Sequence, residues 1–282
     1  MTAEPRLAEL TFGGTATTLL RLGPFNLLTD PNFLHQGQRA YLGYGLWTKR
    51  RTEPAISPAD VPDCDAVLLS HLHGDHFDRI AKAELDHDLP ILTTRQAARR
   101  LSRWGFSAAD GLDPWARRSL ARDGDQLTIT AIPGTHGPGP LGTLLPPVHG
   151  HVLELGTGPD RLRVYLTGDV LYRRELGEVH ERFGPLDALV IHLGGTRVLG
   201  VLVTMDAAQG TDLVELLSPA VTVPIHYDDY TAFRSPLADF LAEMRLRLPH
   251  SEVRVVHRGG LVSLDPAAVS PPDRPRTSQP QP

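Results

Sequence analysis

The stretch Ala66-Val67-Leu68-Leu69-Ser70-His71-Leu72-His73-Gly74-Asp75-His76-Phe77-Asp78 decides the fold. Its opening apolar run has the character of a buried strand. The run empties into His71, His73, Asp75 and His76. Imidazole and carboxylate are the ligands that a hard-to-borderline divalent ion takes, and the H-x-H-x-D-H spacing suits two ions better than one. If the chain leaves the strand extended, His71 and His73 point the same way by the period of two. The turn at Gly74 then re-aims Asp75 and His76 toward a neighbouring site. A histidine-rich surface loop, the competing explanation, gives no reason for this spacing.

The 282 residues, 41% hydrophobic and 22% charged, have globular composition and can bury a sizeable core. A net charge of −5 provides no general attraction to a nucleic-acid backbone, so no nucleic-acid partner is expected. The single cysteine, Cys64, excludes an intramolecular disulfide and a thiolate cluster, which leaves metal binding to His, Asp and Glu. Residues 1–18 lack a basic start followed by a long apolar run, and no stretch approaches the roughly 20 apolar residues of a spanning helix. Arg50-Arg51 has no apolar segment behind it. The expectation is a cytoplasmic protein with no integral membrane segment; the oligomeric state is left open.

Residues 7–12, 17–22 and 25–29 read as an antiparallel meander punctuated by Gly13-Gly14 and Gly23-Pro24. Residues 32–52 read as a long loop whose Tyr41, Tyr44 and Trp47 suit a lid or substrate wall. A helix is expected from Thr94 to Trp104, with Thr94 as its cap and Gly105 as its stop. Further strands fall at 127–132, 151–155, 162–167, 188–193, 221–225, 253–256 and 261–264, with helices near 206–217 and 237–248. Residues 137–150 read as a second Gly/Pro-rich loop. The span 1–265 is taken as one domain, and 266–282 as a disordered Pro-rich tail.

Every metal-type residue lies just beyond a strand, a plan that gathers distant ligands at one sheet edge. His136 follows Pro133-Gly134-Thr135, Asp169 follows Thr167-Gly168, and His226 follows Val221–Ile225, so these three are the natural partners of the opening motif. This pattern resembles the metallo-β-lactamase fold superfamily of metallo-hydrolases, over about residues 7–264. The resemblance implies an α+β, four-layered αββα sandwich. It assigns His71, His73 and His136 to a first metal, and Asp75, His76 and His226 to a second, with Asp169 bridging. Gly14-Thr15-Ala16-Thr17, Leu28-Thr29-Asp30-Pro31-Asn32-Phe33, Thr167-Gly168-Asp169, Arg182-Phe183-Gly184-Pro185-Leu186-Asp187 and Ile225-His226-Tyr227 are similar to a narrower branch. That branch contains N-acyl-phosphatidylethanolamine-hydrolysing phospholipase D and the ascorbate-6-phosphate lactonases.

Two divalent ions about 3.5–4 Å apart generate hydroxide from water near neutral pH. The expectation is therefore a dinuclear hydrolase attacking a phosphodiester of a small or amphiphilic substrate, with Asp75 ligating and orienting the nucleophile. Zinc is the first choice, manganese or iron the alternatives. Lactone or other cyclic ester hydrolysis is the nearest rival reaction, and a non-catalytic metal-binding protein on the same scaffold is the rival from another class. His192, at a strand end, is a candidate catalytic donor, and Arg197 a candidate carboxylate or phosphate binder. His35, His149 and His151 could also face the cleft. Where the phospholipase has a histidine before its acidic helix start, this chain has Met205, and Asp228-Asp229 follow Ile-His-Tyr. Met205 and Asp228 are thus expected near the substrate, and two free acids there would oppose an anionic phosphodiester.

Overall fold

Strand alternation builds the interior of the molecule. The computed structural model describes residues 7–61, 63–158 and 160–268, so the tail expected from 266 falls almost wholly outside the described residues. Two seven-stranded mixed sheets face one another. The first runs in the order Leu261–Ser263, Ala8–Gly14, Thr17–Leu22, Phe25–Thr29, Ala66–Leu68, Ile91–Thr94, Ala109–Leu112. The second runs Glu252–Val253, Val221–Ile225, Ala188–His192, Leu162–Leu166, His149–Leu155, Asp125–Pro133, Arg117–Arg122. Helices are α1 (Arg79–Glu84), α2 (Arg95–Arg103), α3 (Gly139–Leu144), α4 (Glu178–Phe183), α5 (Ala207–Leu217) and α6 (Leu237–Arg247).

Leu10, Phe12, Leu20 and Leu27 of the first sheet meet Leu127, Ile129, Val164 and Val190 of the second. The period of two turns the intervening residues outward. Leu28, Val67 and Ile91 pack with Ala81 of α1 and Leu101 of α2, while Tyr165, Leu189 and Ile191 pack with α4, α5 and α6 through Val179, Leu213 and Phe240. Each fully buried strand therefore serves two cores, giving the four-layered αββα sandwich.

Strand direction places the ligands. Leu162–Leu166, Ala188–His192 and Val221–Ile225 are mutually parallel. Asp125–Pro133 points the same way, since it and Leu162–Leu166 are both antiparallel to His149–Leu155. Ala66–Leu68 and its neighbours on either side are parallel in the first sheet. All these strands empty at one edge of the sandwich.

The two expected loops carry more structure than their composition suggests. Residues 32–52 contain a hairpin, Arg39–Gly43 with Leu46–Lys49, whose turn uses positive φ at Gly43, Tyr44 and Gly45. Residues 137–150 contain α3 and the first two residues of the strand His149–Leu155. Arg117–Arg122 is an exposed, charge-rich edge strand with no apolar alternation to announce it. Thr94 does cap α2, accepting a bond from Ala97 N at 3.2 Å.

Candidate metal centre

The loop after Ala66–Leu68 delivers His71, His73, Asp75 and His76, all buried, to the shared strand-end edge. Three further chain segments meet it there, and two donor sets result. His71, His73 and His136 form one, and Asp75, His76, Asp169 and His226 the other; within each set the donor atoms lie within 4.8 Å of one another. His73 Nδ1 is 2.9 Å from His71 Nε2 and 3.2 Å from His136 Nε2. Asp169 Oδ2 lies 3.3 Å from His76 Nε2, and Asp75 Oδ2 lies 3.7 Å from His226 Nε2.

The residues behind the ligands settle which nitrogen faces inward. The Nδ1–H of His136 donates to Val203 O at 3.0 Å, and that of His226 to Leu193 O at 2.9 Å. His76 Nδ1 meets Asp30 Oδ2 at 3.0 Å. In each case the Nε2 lone pair is left for the centre, as metal-ligating histidines require. Asp75 Oδ1, His76 Nε2, Asp169 Oδ1 and His226 Nε2 are buried with no hydrogen-bond partner. Orphaned buried acceptors are costly unless a cation takes them up, and a nitrogen-oxygen donor set of this kind fits zinc, manganese or iron.

The two sets differ electrostatically. Burial, reinforced by neighbouring imidazoles, holds His71 well below the usual histidine range and His73 down at about 3. Burial also lowers His136, against the pull of Asp169. These three rings are neutral donors. Burial disfavours charge on His76 and His226 too, but Asp169 and its fellow carboxylates outweigh it and raise both. The same imidazoles overcome the effect of burial on Asp75 and Asp169 and keep both carboxylates ionised. Thr204 Oγ1 donates to Asp169 Oδ2 at 3.1 Å and fixes its rotamer.

Sequence reasoning gave no site role to Asp30, which accepts from Ser70 N at 2.7 Å and braces His76. Its φ of 34° and the φ of 62° at His226 are left-handed, a strain that surrounding structure must hold in place. Asp78 is likewise structural. It caps α1 through Ile80 N and Ala81 N, and gathers Phe33 N and Leu34 N. The Asp-Pro-Asn-Phe string was the available signal for these contacts, yet only the tertiary fold shows that it girds the metal loop.

The remaining expected site residues scatter. Tyr41, Tyr44 and Trp47 line a groove of about 800 Å³ that reaches His73 and Gly74. Gly74 N donates to Tyr41 O at 2.9 Å, so the hairpin is docked on the metal loop itself. His192 is buried behind the ligands, bonded to Thr167 Oγ1 at 3.1 Å and 3.7 Å from Asp30, and does not line the groove. His149 and His151 are buried, whereas His35 is exposed and paired with Glu53. Met205 corrects its expectation: it is fully buried in the helix-side core. Arg197 stands 3.5 Å from Asp206, beside a separate small cavity lined by Gly195 and Arg234. Asp228 is engaged by Arg258, and Asp229 accepts from Thr15 N, Thr52 and Arg258. Neither acid is free to oppose an anion.

A four-layered sandwich with two adjoining His/Asp donor sets at its strand ends defines a metal-dependent hydrolase of the metallo-β-lactamase fold. The chain belongs to the Beta-lactamase superfamily domain family, which it matches over residues 26–227. It is similar to a UPF0173 metal-dependent hydrolase of Archaeoglobus fulgidus, 25% identical over 80% of this chain and 93% of the relative. Another from Opitutus terrae is 28% identical over 91% of this chain and 100% of the relative. Among solved structures, a possible metal-dependent hydrolase from Veillonella parvula superposes with a TM-score of 0.77 at 21% identity, covering 91% of this chain and 99% of that one. An isothiocyanate hydrolase from Delia radicum gut bacteria gives 0.75 at 22%, with the same coverage. At these identities the solved structures speak for the fold alone. Among the described residues no helix is long and apolar enough to cross a membrane.

Proposed function

We propose that the chain is a dinuclear hydrolase acting on phosphodiesters of small or amphiphilic molecules. The observation that carries this reading is the pair of adjoining, fully formed donor sets, one of neutral imidazoles and one mixed with carboxylates. Divalent ions held by His71, His73 and His136 and by Asp75, His76, Asp169 and His226 would supply Lewis acidity and lower the pKa of a bound water toward neutral. Asp75, an ionised carboxylate beside His226, would both ligate an ion and orient the attacking water. Asp169, fixed by Thr204, stands between His76 and His226 and offsets cationic charge. His192 is bonded to Thr167 Oγ1 and stands 3.7 Å from Asp30, outside hydrogen-bond range, so no catalytic role is given to it. The pairing of Asp228 and Asp229 with Arg258 removes the charge objection to an anionic substrate.

The test is metal analysis of protein reconstituted with zinc, manganese or iron(II), joined to turnover of bis(p-nitrophenyl) phosphate, a γ-lactone, a thioester and an isothiocyanate. Two ions per chain, and phosphodiester turnover abolished in a folded Asp75→Ala variant, support the proposal. One ion per chain overturns the dinuclear assignment. Turnover of another substrate without any phosphodiester overturns the substrate assignment.

A further inference from the structure

The groove beside His73 has an uneven charge. Arg39 of the hairpin, Arg79 and Lys82 of α1, and Arg99, Arg100 and Arg103 of α2 line it, and Asp78 is the single acid among its lining residues. The Asp78 carboxylate is already committed to four backbone N–H groups and to Asn32 Nδ2. None of the six cations makes an ion pair within 4 Å of a carboxylate among the described residues, whereas Arg95 on the same helix pairs with Asp113. Six cations without an ion pair around one groove of a chain with net charge −5 repel one another unless an anion joins them.

The other surfaces of the groove are aromatic. Lys82 Nζ and the Arg100 guanidinium each lie over the Trp104 ring, 4.5 and 5.3 Å from its centroid. Tyr41 and Trp47 pack on the opposite side with ring centroids 4.8 Å apart and planes tilted by 50°, although both are largely exposed. The hairpin tip crosses to α3, where Tyr44 OH donates to Leu144 O at 2.7 Å. The groove is thus partly roofed, and it ends at His73 of the first donor set.

We propose that this groove is the binding site for a second, non-reacting phosphate on the substrate, carried next to an aromatic or ring-bearing group. Arg99, Arg103 and Lys82 take the phosphate, the aromatic walls take the ring, and the scissile bond lies toward His73. The substrate class is then a small phosphorylated diester of nucleotide type. This rests on the phosphodiesterase reading above, so its test includes binding measured without turnover.

The probe is thymidine 3′,5′-bisphosphate, which has no diester bond to cleave, titrated calorimetrically into the metal-loaded protein at low salt. Arg99→Glu/Arg103→Glu is compared with Arg174→Glu/Arg245→Glu, which changes net charge equally on exposed residues outside the groove. Binding weakened about tenfold or more in the first variant only, and falling with salt, supports the site. Equal weakening in both variants, or in neither, overturns it. Binding of a dodecathymidylate a hundredfold tighter than the bisphosphate overturns it in favour of a nucleic-acid groove. If this pattern holds while no phosphodiester is hydrolysed, the groove stands and the catalytic reading falls. If bis(p-nitrophenyl) phosphate is hydrolysed but the bisphosphate ignores Arg99 and Arg103, the reverse is true.

Discussion

Asp30→Asn is the sharpest probe of how the centre is held. The side chain makes two contacts at once: Oδ1 accepts from Ser70 N at 2.7 Å, and Oδ2 meets His76 Nδ1 at 3.0 Å. Asparagine keeps the shape and tolerates the left-handed backbone of this position, φ 34°, but offers one acceptor where aspartate has two. If its oxygen stays on Ser70 N, its amide faces His76 Nδ1. The ring must then carry its proton on Nε2, the atom that looks toward Asp169, and it ceases to be a ligand. If the amide turns over, two donors confront each other at Ser70, at about 1–3 kcal/mol for an unsatisfied buried group. Either way the ion at Asp75, His76, Asp169 and His226 should bind about 10–100-fold more weakly, the usual effect of losing a partner behind a ligand. The His71, His73 and His136 set should be spared. Zinc competition titrations against a chromophoric chelator resolve the two binding events. Two wild-type affinities in Asp30→Asn would refute the role given to Asp30.

Other substitutions probe the walls and the interior. A Cβ at Gly74 would stand 2.7 Å from Tyr41 N and 2.9 Å from Tyr41 O, so Gly74→Ala should undock the hairpin and cost about 1–3 kcal/mol in urea unfolding. Arg50 is fully buried, bonded to Asn32 O at 3.0 Å and beneath the Tyr230 ring. Arg50→Ala should lower stability by about 3–5 kcal/mol, because Asn32 and Asp229 lose a buried cation; an unfolding midpoint within about 1 °C of wild type, against the roughly 2–4 °C that each kcal/mol produces in a chain of this size, would contradict that. Burial, aided by Asp65 and Asp63, pushes the Cys64 thiol up to about 11. Its reaction with a disulfide reagent should therefore be slow at pH 8 in the native protein, accelerate as pH rises toward that value, and become fast on unfolding.

What could be read from the chain was whatever is local. The strands at Thr17–Leu22, Phe25–Thr29 and Val221–Ile225 carry their own apolar runs and turn signals, and their bounds coincide with the expected ones. The His71–His76 spacing is likewise a local fact, and the strand-end positions of His136, Asp169 and His226 follow from elements of that kind. The aromatic residues Tyr41, Tyr44 and Trp47 that line the groove were legible, but its cationic side was not. Its cations come from α1, α2 and the hairpin, and in sequence Arg99, Arg100 and Arg103 look like an ordinary solvated helix end. Asp30 was hidden for the same reason, since its value lies in contacts with Ser70 and His76, 40 or more residues away.

Asp228 and Asp229 show why counting charges near a motif misjudges a substrate. In sequence they stand two and three residues past His226 and look like a barrier to anions. In the fold, the backbone leaves Tyr227 so that Arg258 reaches both carboxylates, Nε to Asp229 at 2.8 Å, while Arg50 Nη2 lies 4.0 Å from Asp229 inside the protein. Burial opposes ionisation of Asp229, but Arg258 and then Thr52 outweigh it and hold its carboxyl below the usual range. The acids are spent on tying residues 15, 50, 52 and 258 together behind the centre. The charge that a substrate meets is set by groups without partners, and on the groove beside His73 those groups are all cationic. The proposed preference for an anion therefore rests on groove cations that make no ion pair among the described residues, and would reverse only if substitution placed free carboxylates on α1 or α2.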